Sequence, residues 1–370
     1  MRELYIGMIS GTSVDGVDCA IVEFSSGSVR LVAARTFPYP DDLRNRLETL
    51  IRTPRVTLRD LGRLDVACGR FFAESALATI ADAGLDTGAI RAIGHHGQTV
   101  YHEPDGDESF TLQIGAAAIV ATATGIETVA DLRATDMALG GQGAPLVPAF
   151  HAACFADGSE ARVIVNIGGI ANITTLIPEQ PVLGFDTGPG NTLMDLWTER
   201  CLGQDFDRDG AWAATGSFIP DLLDSMLQDP YFSRRPPKST GRELFNADWL
   251  DNYLASRASD ADAADVQATL AELTARTIAT AVTELKLSAA KLIVCGGGAH
   301  NGFLLSRLAA VHAGEVTTTS GVGIDPDWVE AAAFAWLARA RVRHEPGNVP
   351  TVTGARQEAV LGGLYSPKVF

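Results

Sequence analysis

The sequence predicts an α/β protein of two similar domains with a cleft between them, and three observations carry that expectation. A run of strand, tight small-residue turn, strand, strand and helix begins at Leu4 and begins again at Arg162. Three glycine-rich turns, Ser10–Ser13, Gly168–Asn172 and Gly296–Asn301, each follow a buried strand. With 370 residues, 46% of them hydrophobic and 20% charged, the chain is long enough to bury two separate cores without disulfide or metal staples.

The apolar stretch Leu4–Ile9 is a strand, and after the first turn Val17–Phe24 and Val29–Thr36 return as strands, an antiparallel set of three. Leu43–Ile51 and Leu58–Ile80 carry apolar residues at helical spacing, the second through Leu61, Leu64, Cys68, Phe71, Phe72 and Leu77. Ile90–Ile93 is a buried strand expected to end at Gly94-His95-His96-Gly97-Gln98-Thr99. Thr111–Ala123 reads as a helix and Ile126–Ala130 as a strand closing at Asp131-Leu132-Arg133. A glycine-rich passage, Leu139–Pro148, leads to the second set: Arg162–Asn166, the Gly168–Asn172 turn, Ile173–Ile177 and Val182–Phe185. Val266–Leu285 then reads as a long amphipathic helix, Lys291–Cys295 as a strand, Asn301–Leu308 as a helix, Val316–Thr318 as a short strand and Asp327–Arg341 as an apolar helix.

The net charge of −16 argues against nucleic acid or an anionic membrane as partner, since both need clustered Lys and Arg. It leaves room for a phosphate ligand held by backbone amides and a divalent cation. Cys19, Cys68, Cys154, Cys201 and Cys295 are scattered, without a C-x-x-C pair or zinc spacing, and read as reduced core residues of a cytoplasmic protein. No signal-peptide pattern or apolar stretch of membrane-spanning length is present in the sequence.

Within Leu183–Asp195, LGFDTGPGNTLMD, an apolar run reads as a strand broken by Gly188-Pro189-Gly190, with Asn191 capping the following helix. Asp186 is thus placed at the carboxyl end of a strand, where ligands bind in α/β sheets. It is either a base for a hydroxyl or a water, or an Asp that pins its own turn. The chain has no G-x-x-x-x-G-K-[ST] and no G-x-G-x-x-G after an opening strand, which argues against a P-loop enzyme or a dinucleotide-binding domain. Glycine and small hydroxyls in the three turns nevertheless let amides approach a phosphate.

Six stretches, GMISGTSVDGVD from Gly7, GHHGQT from Gly94, DMALGGQGAPLVP from Asp136, NIGGIANIT from Asn166, GFDTGPGN from Gly184 and CGGGAHN from Cys295, resemble the anhydro-N-acetylmuramic acid kinases. The resemblance is collinear from about residue 5 to about residue 365, with Val14 and Cys19 as mild departures where leucine and alanine are commoner. It implies the actin, Hsp70 and sugar-kinase fold, two ribonuclease H-like domains with an inter-domain cleft, here 1–131 with about 350–370, and 132–349. It makes Gly11, Thr12, Ser13, Val14, Asp15, Gly16, Val17 and Asp18 the first phosphate loop, Gly168, Gly169 and Asn172 the second, and sets Gly296, Gly297 and Gly298 against the adenosine. Asp186 becomes the catalytic base, and the implied activity, in peptidoglycan recycling, uses ATP and water to open 1,6-anhydro-N-acetylmuramic acid and phosphorylate O6, giving N-acetylmuramic acid 6-phosphate and ADP.

Asp15 or Asp18 would hold Mg²⁺ through water, or simply shape the turn. His95 and His96 are adjacent on an extended chain and point to opposite faces, so they do not share one ion. Gln98 and Thr99 are substrate candidates, as are Asp131 and Arg133, the Arg facing the lactyl carboxylate unless the two form a surface ion pair. Glu330 is a further substrate-side candidate, against which stands a capping box with Asp327. Trp212, Trp249, Trp328 and Trp336 read as core rather than sugar platforms. The resemblance also implies a homodimer. The rival readings are a kinase for another amino sugar on the same fold and a non-catalytic actin- or Hsp70-like ATP switch; a serine hydrolase on Ser10 or Ser13 lacks the G-x-S-x-G elbow.

Overall fold

The computed structural model describes residues 3–11, 13–25, 28–258 and 260–367. In chain order the strands and helices are β1 (Glu3–Ser10), β2 (Gly16–Ser25), β3 (Ser28–Pro38), α1 (Asp41–Arg52), α2 (Leu58–Asp82), β4 (Ile90–Glu103), β5 (Phe110–Ile114), α3 (Ala117–Thr124), β6 (Thr128–Ala130), α4 (Ala134–Ala138) and α5 (Val147–Phe155). They continue as β7 (Arg162–Ile167), β8 (Ile170–Leu176), β9 (Leu183–Pro189), α6 (Thr192–Leu202), α7 (Pro220–Leu227), α8 (Ala247–Arg257), α9 (Ala263–Glu284), β10 (Lys291–Cys295), α10 (Gly302–Val311), β11 (Val316–Thr318), α11 (Val329–Arg343), α12 (Pro350–Thr353) and β12 (Gly363–Tyr365).

Two compact units result, Met1–Cys154 with Trp328–Phe370, and Phe155–Asp327. Residues 132–154 and 328–349, assigned by the sequence reading to the second domain, therefore belong to the first unit. The first sheet runs β3-β2-β1-β4-β6, with β12 outside β6 and β5 on β4. The second runs β9-β8-β7-β10-β11. In each, three antiparallel strands are followed by two parallel ones. The repeat seen in the order of elements is thus a repeat of topology, the ribonuclease H-like order.

In the first unit α11 lies directly on the sheet because two glycines make room for it. Gly7 of β1 and Gly94 of β4 are register partners. A Cβ on Gly7 would come within 1.8 Å of Ala331 O, and one on Gly94 within 1.9 Å of Phe334 O. Ala331, Ala332, Ala333 and Ala335 complete that approach and are buried. This contact is why the segment after Asp327 joins the first unit. The other face of the sheet is covered by α1 and α2, with Leu47, Leu64, Cys68, Phe72 and Ala76 in one core with Ile6, Met8, Ile21 and Ile93.

The second core joins Val163, Val165 and Ile173 of its sheet to Leu193, Leu222, Leu250, Leu270 and Ile278 of the helices. Helix α9 is buried almost all round, from Ala264 to Val282, so it is a central helix and not the amphipathic one expected. Its small Ala and Thr residues permit this, and Thr274 Oγ1 donates toward Pro189 O and Gly190 O at 3.1 and 3.0 Å.

Several boundaries differ from expectation. β4 continues through the His pair to Glu103, since Gly97 takes a positive φ of 76° without ending the strand. Thr111–Ile114 is strand, held against β4, and only Ala117–Thr124 is helix. β8 starts at Ile170, so the second turn is Gly168-Gly169 alone and Asn172 is a strand residue paired with Asp186. Among the described residues no helix is long and apolar enough to cross a membrane.

Candidate active site

The first glycine-rich turn joins β1 to β2, and the chain itself holds it in place; Thr12 lies outside the described residues. The Ser10 hydroxyl faces two acceptors, Gly16 O at 2.8 Å and Gln98 Oε1 at 2.5 Å. Gln98 Nε2 in turn donates to Gly11 O and Thr99 O, both at 3.1 Å. Gln98 is fully buried, and its amide supports the turn. Thr99 Oγ1 accepts from Gln113 Nε2 at 3.1 Å. Val14 is buried with φ at 57°, a conformation that a β-branched residue adopts only when its surroundings impose it. Val17, also buried, belongs to the core behind the turn.

Asp15 is exposed and accepts from Ser13 Oγ, while Asp18, on β2, accepts from Thr36 Oγ1 at 2.6 Å. Glu330 stands in the first turn of α11. The expected capping box does not form: Trp328 is the N-cap, and the Asp327 carboxylate accepts from or shares a proton with His300 Nε2 at 2.8 Å. Glu330 keeps an exposed face, yet protein surrounds its carboxylate closely enough that desolvation, then the negative charge of Asp18, raises its pKa while Arg133 lowers it.

His95 and His96 do face opposite sides of the sheet. His95 packs edge-on to Phe72 with Nε2 2.5 Å from Gly115 O, and its pKa is lowered to about 4 by burial. His96 packs against Phe334 and accepts at Nε2 from Arg133 Nε at 3.1 Å. Arg133 also donates to Gly143 O at 2.7 Å, and desolvation lowers its pKa to about 10. The Asp131–Arg133 surface pair does not form: Asp131 is exposed at φ 56°, and Arg133 turns inward to His96.

In the second unit Asp186 sits within β9, which runs on to Pro189, rather than at its end. Three backbone bonds fix it. Its amide donates to Lys238 O at 3.2 Å, its carbonyl accepts from Tyr231 Oη at 2.7 Å, and its Oδ2 accepts from the Thr240 amide at 3.0 Å. Burial, then the nearby Glu243, raises the pKa of the carboxyl, and the Thr240 amide lowers it. Oδ1 accepts no hydrogen bond among the described residues. A carboxylate so held has one oxygen fixed and one available to a proton.

Asn191 stands at the N-cap position of α6 but does not cap it; its Nδ2 donates to Ile167 O at 3.2 Å, tying the helix start to the end of β7. The Gly168 and Gly169 carbonyls accept from the amides of Asn191 and Thr192 at 2.8 and 3.1 Å. Gly296, at φ 77°, and Gly298 are required by packing, since Cβ atoms there would come within 2.4 Å of Asn166 Oδ1 and Ile167 Cγ2. Gly11, Gly168 and Gly297 are different: the nearest atom to a Cβ would be 3.6, 3.7 and 3.6 Å away. Each turn thus holds one glycine that the protein's own packing does not demand, which fits a loop that a phosphate or nucleoside approaches.

Sequence reasoning missed Tyr231, Lys238, Thr240 and Arg242. For Lys238, Thr240 and Arg242 the signal was the segment PPKSTGR from Pro236, small hydroxyls and a glycine set between two cations; Tyr231 lies outside it. Cys19, Cys68 and Cys295 are buried, Cys154 is partly buried and Cys201 exposed, all as free thiols. Trp249 and Trp336 are core residues, as expected.

Two ribonuclease H-like units, glycine turns with room for phosphate and a strand-borne carboxylate define the sugar-kinase class of the actin and Hsp70 fold. The family profile described as anhydro-N-acetylmuramic acid kinase matches residues 3–367, and the chain belongs to that family. The curated anhydro-N-acetylmuramic acid kinase of Vibrio vulnificus strain CMCP6 is 50% identical over 99% of both chains, and that of Vibrio parahaemolyticus 51% over 99% of both. Among solved structures, component A of the (R)-2-hydroxyglutaryl-CoA dehydratase of Acidaminococcus fermentans aligns with a TM-score of 0.48 and 11% identity, over 92% of this chain and 99% of that one.

Proposed function

We propose that this kinase opens 1,6-anhydro-N-acetylmuramic acid with water and transfers the γ-phosphoryl group of ATP to the released O6. The observation that carries the reaction chemistry is Asp186: a carboxylate tied down at Oδ2 by the Thr240 amide, with raised basicity and Oδ1 left for a water. Asp186 deprotonates the water that attacks the anomeric carbon. The C1–O6 bond breaks toward O6, and the electron pair on O6 is taken by phosphorus as the bond to ADP breaks. General-base assistance of this kind is worth about 10²–10⁴ in rate, and positioning and electrostatics supply the rest.

Gly11–Asp18 and Gly168–Gly169 receive the phosphates of ATP, Gly297 lies against the adenosine, and Arg133, Thr99, Asp131 and Glu330 serve the sugar side. Gln98 acts through the first turn. Asp15 or Asp18, beside the first turn, would hold Mg²⁺ through water, and the cation would neutralise charge on the phosphates; the negative charge of Asp18, which raises the Glu330 pKa, is the electrostatic feature such a cation would offset. Full-length identity to kinases disfavours the ATP-switch reading and a different amino-sugar acceptor. On the resemblance alone, the enzyme works in the cytoplasm as a homodimer.

Mass spectrometry of the product tests this reading. With Mg-ATP and 1,6-anhydro-N-acetylmuramic acid the expected product is N-acetylmuramic acid 6-phosphate, one per ADP released. A folded protein that binds ATP and leaves the sugar unchanged sinks the substrate assignment.

A further inference from the structure

Arg242 is exposed, and its guanidinium makes no hydrogen bond and no ion pair within 4 Å among the described residues. It lies over the second glycine turn: a Cβ on Gly169 would be 3.5 Å from its Nη2 and 3.6 Å from its Nε. The same Cβ would be 2.7 Å from Thr192 Oγ1, a buried hydroxyl with no hydrogen-bond partner. A planar fork of donors and an unsatisfied hydroxyl therefore converge on a turn that has no side chain of its own. That donor set matches the oxygens of a phosphoryl group, which Arg engages with two parallel N–H bonds.

The position of Arg242 is also coupled to Asp186. The segment carrying it is pinned two residues earlier by the Thr240 amide on Asp186 Oδ2 at 3.0 Å, and four residues earlier by Lys238 O on the Asp186 amide at 3.2 Å. The Gly241 carbonyl, one residue before Arg242, accepts from the amides of Leu244 and Phe245 beyond it at 3.2 and 3.1 Å. The base and the guanidinium thus ride on one short, braced strap. Arg242 lowers the pKa of Asp195, but desolvation outweighs it and raises that pKa to about 6.

We propose that Arg242 and the Thr192 hydroxyl form a clamp on the transferred phosphoryl group at the Gly168-Gly169 turn, and that the 238–242 strap sets its register with Asp186. This rests on the kinase reading above. As the bond from phosphorus to the ADP oxygen breaks and the bond to O6 forms, the clamp holds the peripheral oxygens, where charge accumulates. It discriminates ATP from ADP, because only ATP brings a group into it.

The test compares wild type with Arg242→Ala, Arg242→Lys and Thr192→Val by calorimetric titration of ADP and of the non-hydrolysable analogue AMP-PNP in Mg²⁺, with steady-state kinetics alongside. Arg242→Ala is expected to bind ADP within twofold of wild type, to lose roughly tenfold or more in AMP-PNP affinity, and to lose about 10²–10³ in kcat with the sugar KM unchanged. Arg242→Lys keeps the charge but not the fork and recovers only part of the loss. Because Arg242 is exposed, its truncation opens no core, and Arg242→Lys provides a second variant if the first fails to fold. AMP-PNP affinity and kcat both within twofold of wild type in Arg242→Ala overturn the clamp while leaving the kinase reading intact. A wild type with no sugar-dependent turnover overturns the kinase reading, and the clamp with it.

Discussion

The two units share one strand order but differ in how their glycine turns are supported. In the first, Ser10, Gln98, His95, His96 and Arg133 are all engaged with the chain's own groups, and the turn is a finished piece of structure. In the second, Thr192, Arg242 and one oxygen of Asp186 are held in place with hydrogen-bonding capacity left over. Around the first turn these polar groups are satisfied within the protein, whereas around the second Thr192, Arg242 and Asp186 keep hydrogen-bonding capacity free.

The sharpest way to break this comparison is to remove the base. Asp186→Asn keeps size and the bond from the Thr240 amide, so AMP-PNP binding is expected to persist while sugar-dependent kcat falls by about 10²–10⁴. In the wild type the acid limb of kcat/KM is expected above the ordinary carboxylate value of 3.8, since burial raises the Asp186 pKa. A limb below that value would show that another group titrates.

The rigidity of the first unit has its own pH signature. His95 is held neutral with a pKa lowered from 6.5 to about 4. Above pH 6.5 the histidine is neutral folded or unfolded, and its full contribution is present. As pH falls toward 4 the unfolded chain takes up the proton first, so stability is lost over that window, by about 3 kcal/mol for a shift of this size. Hydrogen exchange of β4 amides against pH measures it, and His95→Gln is expected to flatten the profile.

The glycines give a smaller, more selective effect. Gly296→Ala meets Asn166 Oδ1 at φ 77° and is expected to lower stability by about 1–3 kcal/mol. Gly168→Ala meets nothing closer than Ile170 O at 3.7 Å, an ordinary contact, and is expected to leave the melting temperature near wild type while weakening ATP binding. Equal melting temperatures for the two variants would contradict the distinction. Gln98→Ala, which removes one of the Ser10 hydroxyl's two acceptors and the amide donor to Gly11 O, is expected to cost about 1–3 kcal/mol in stability, read by denaturant titration.

The sequence made the repeat legible because the turns and strand lengths recur from Leu4 and from Arg162, and local patterning is what decides such elements. It misplaced element ends where glycine normally means a break. Gly97 and Gly188 sit inside strands here, because cross-strand pairing carries the chain past them. It placed residues 328–349 in the wrong unit because the close seat of α11 depends on Gly7 and Gly94, more than 200 positions away. The strand that carries Asp186 was legible from its apolar run. The strap from Lys238 to Arg242 was not, since its meaning lies in contacts with β9 that no local pattern encodes. The full burial of Gln98 beneath the first turn is likewise a tertiary fact that its local sequence does not carry.

The most direct test of the central claim follows oxygen. Wild type and Asp186→Asn are incubated with Mg-ATP and 1,6-anhydro-N-acetylmuramic acid in ¹⁸O-water, and the product is analysed by mass spectrometry and ³¹P NMR. The account predicts one ¹⁸O at C1, none in the phosphate, and loss of the product in Asp186→Asn while AMP-PNP still binds. Full wild-type turnover in Asp186→Asn, or label in the phosphate ester in place of C1, would contradict it.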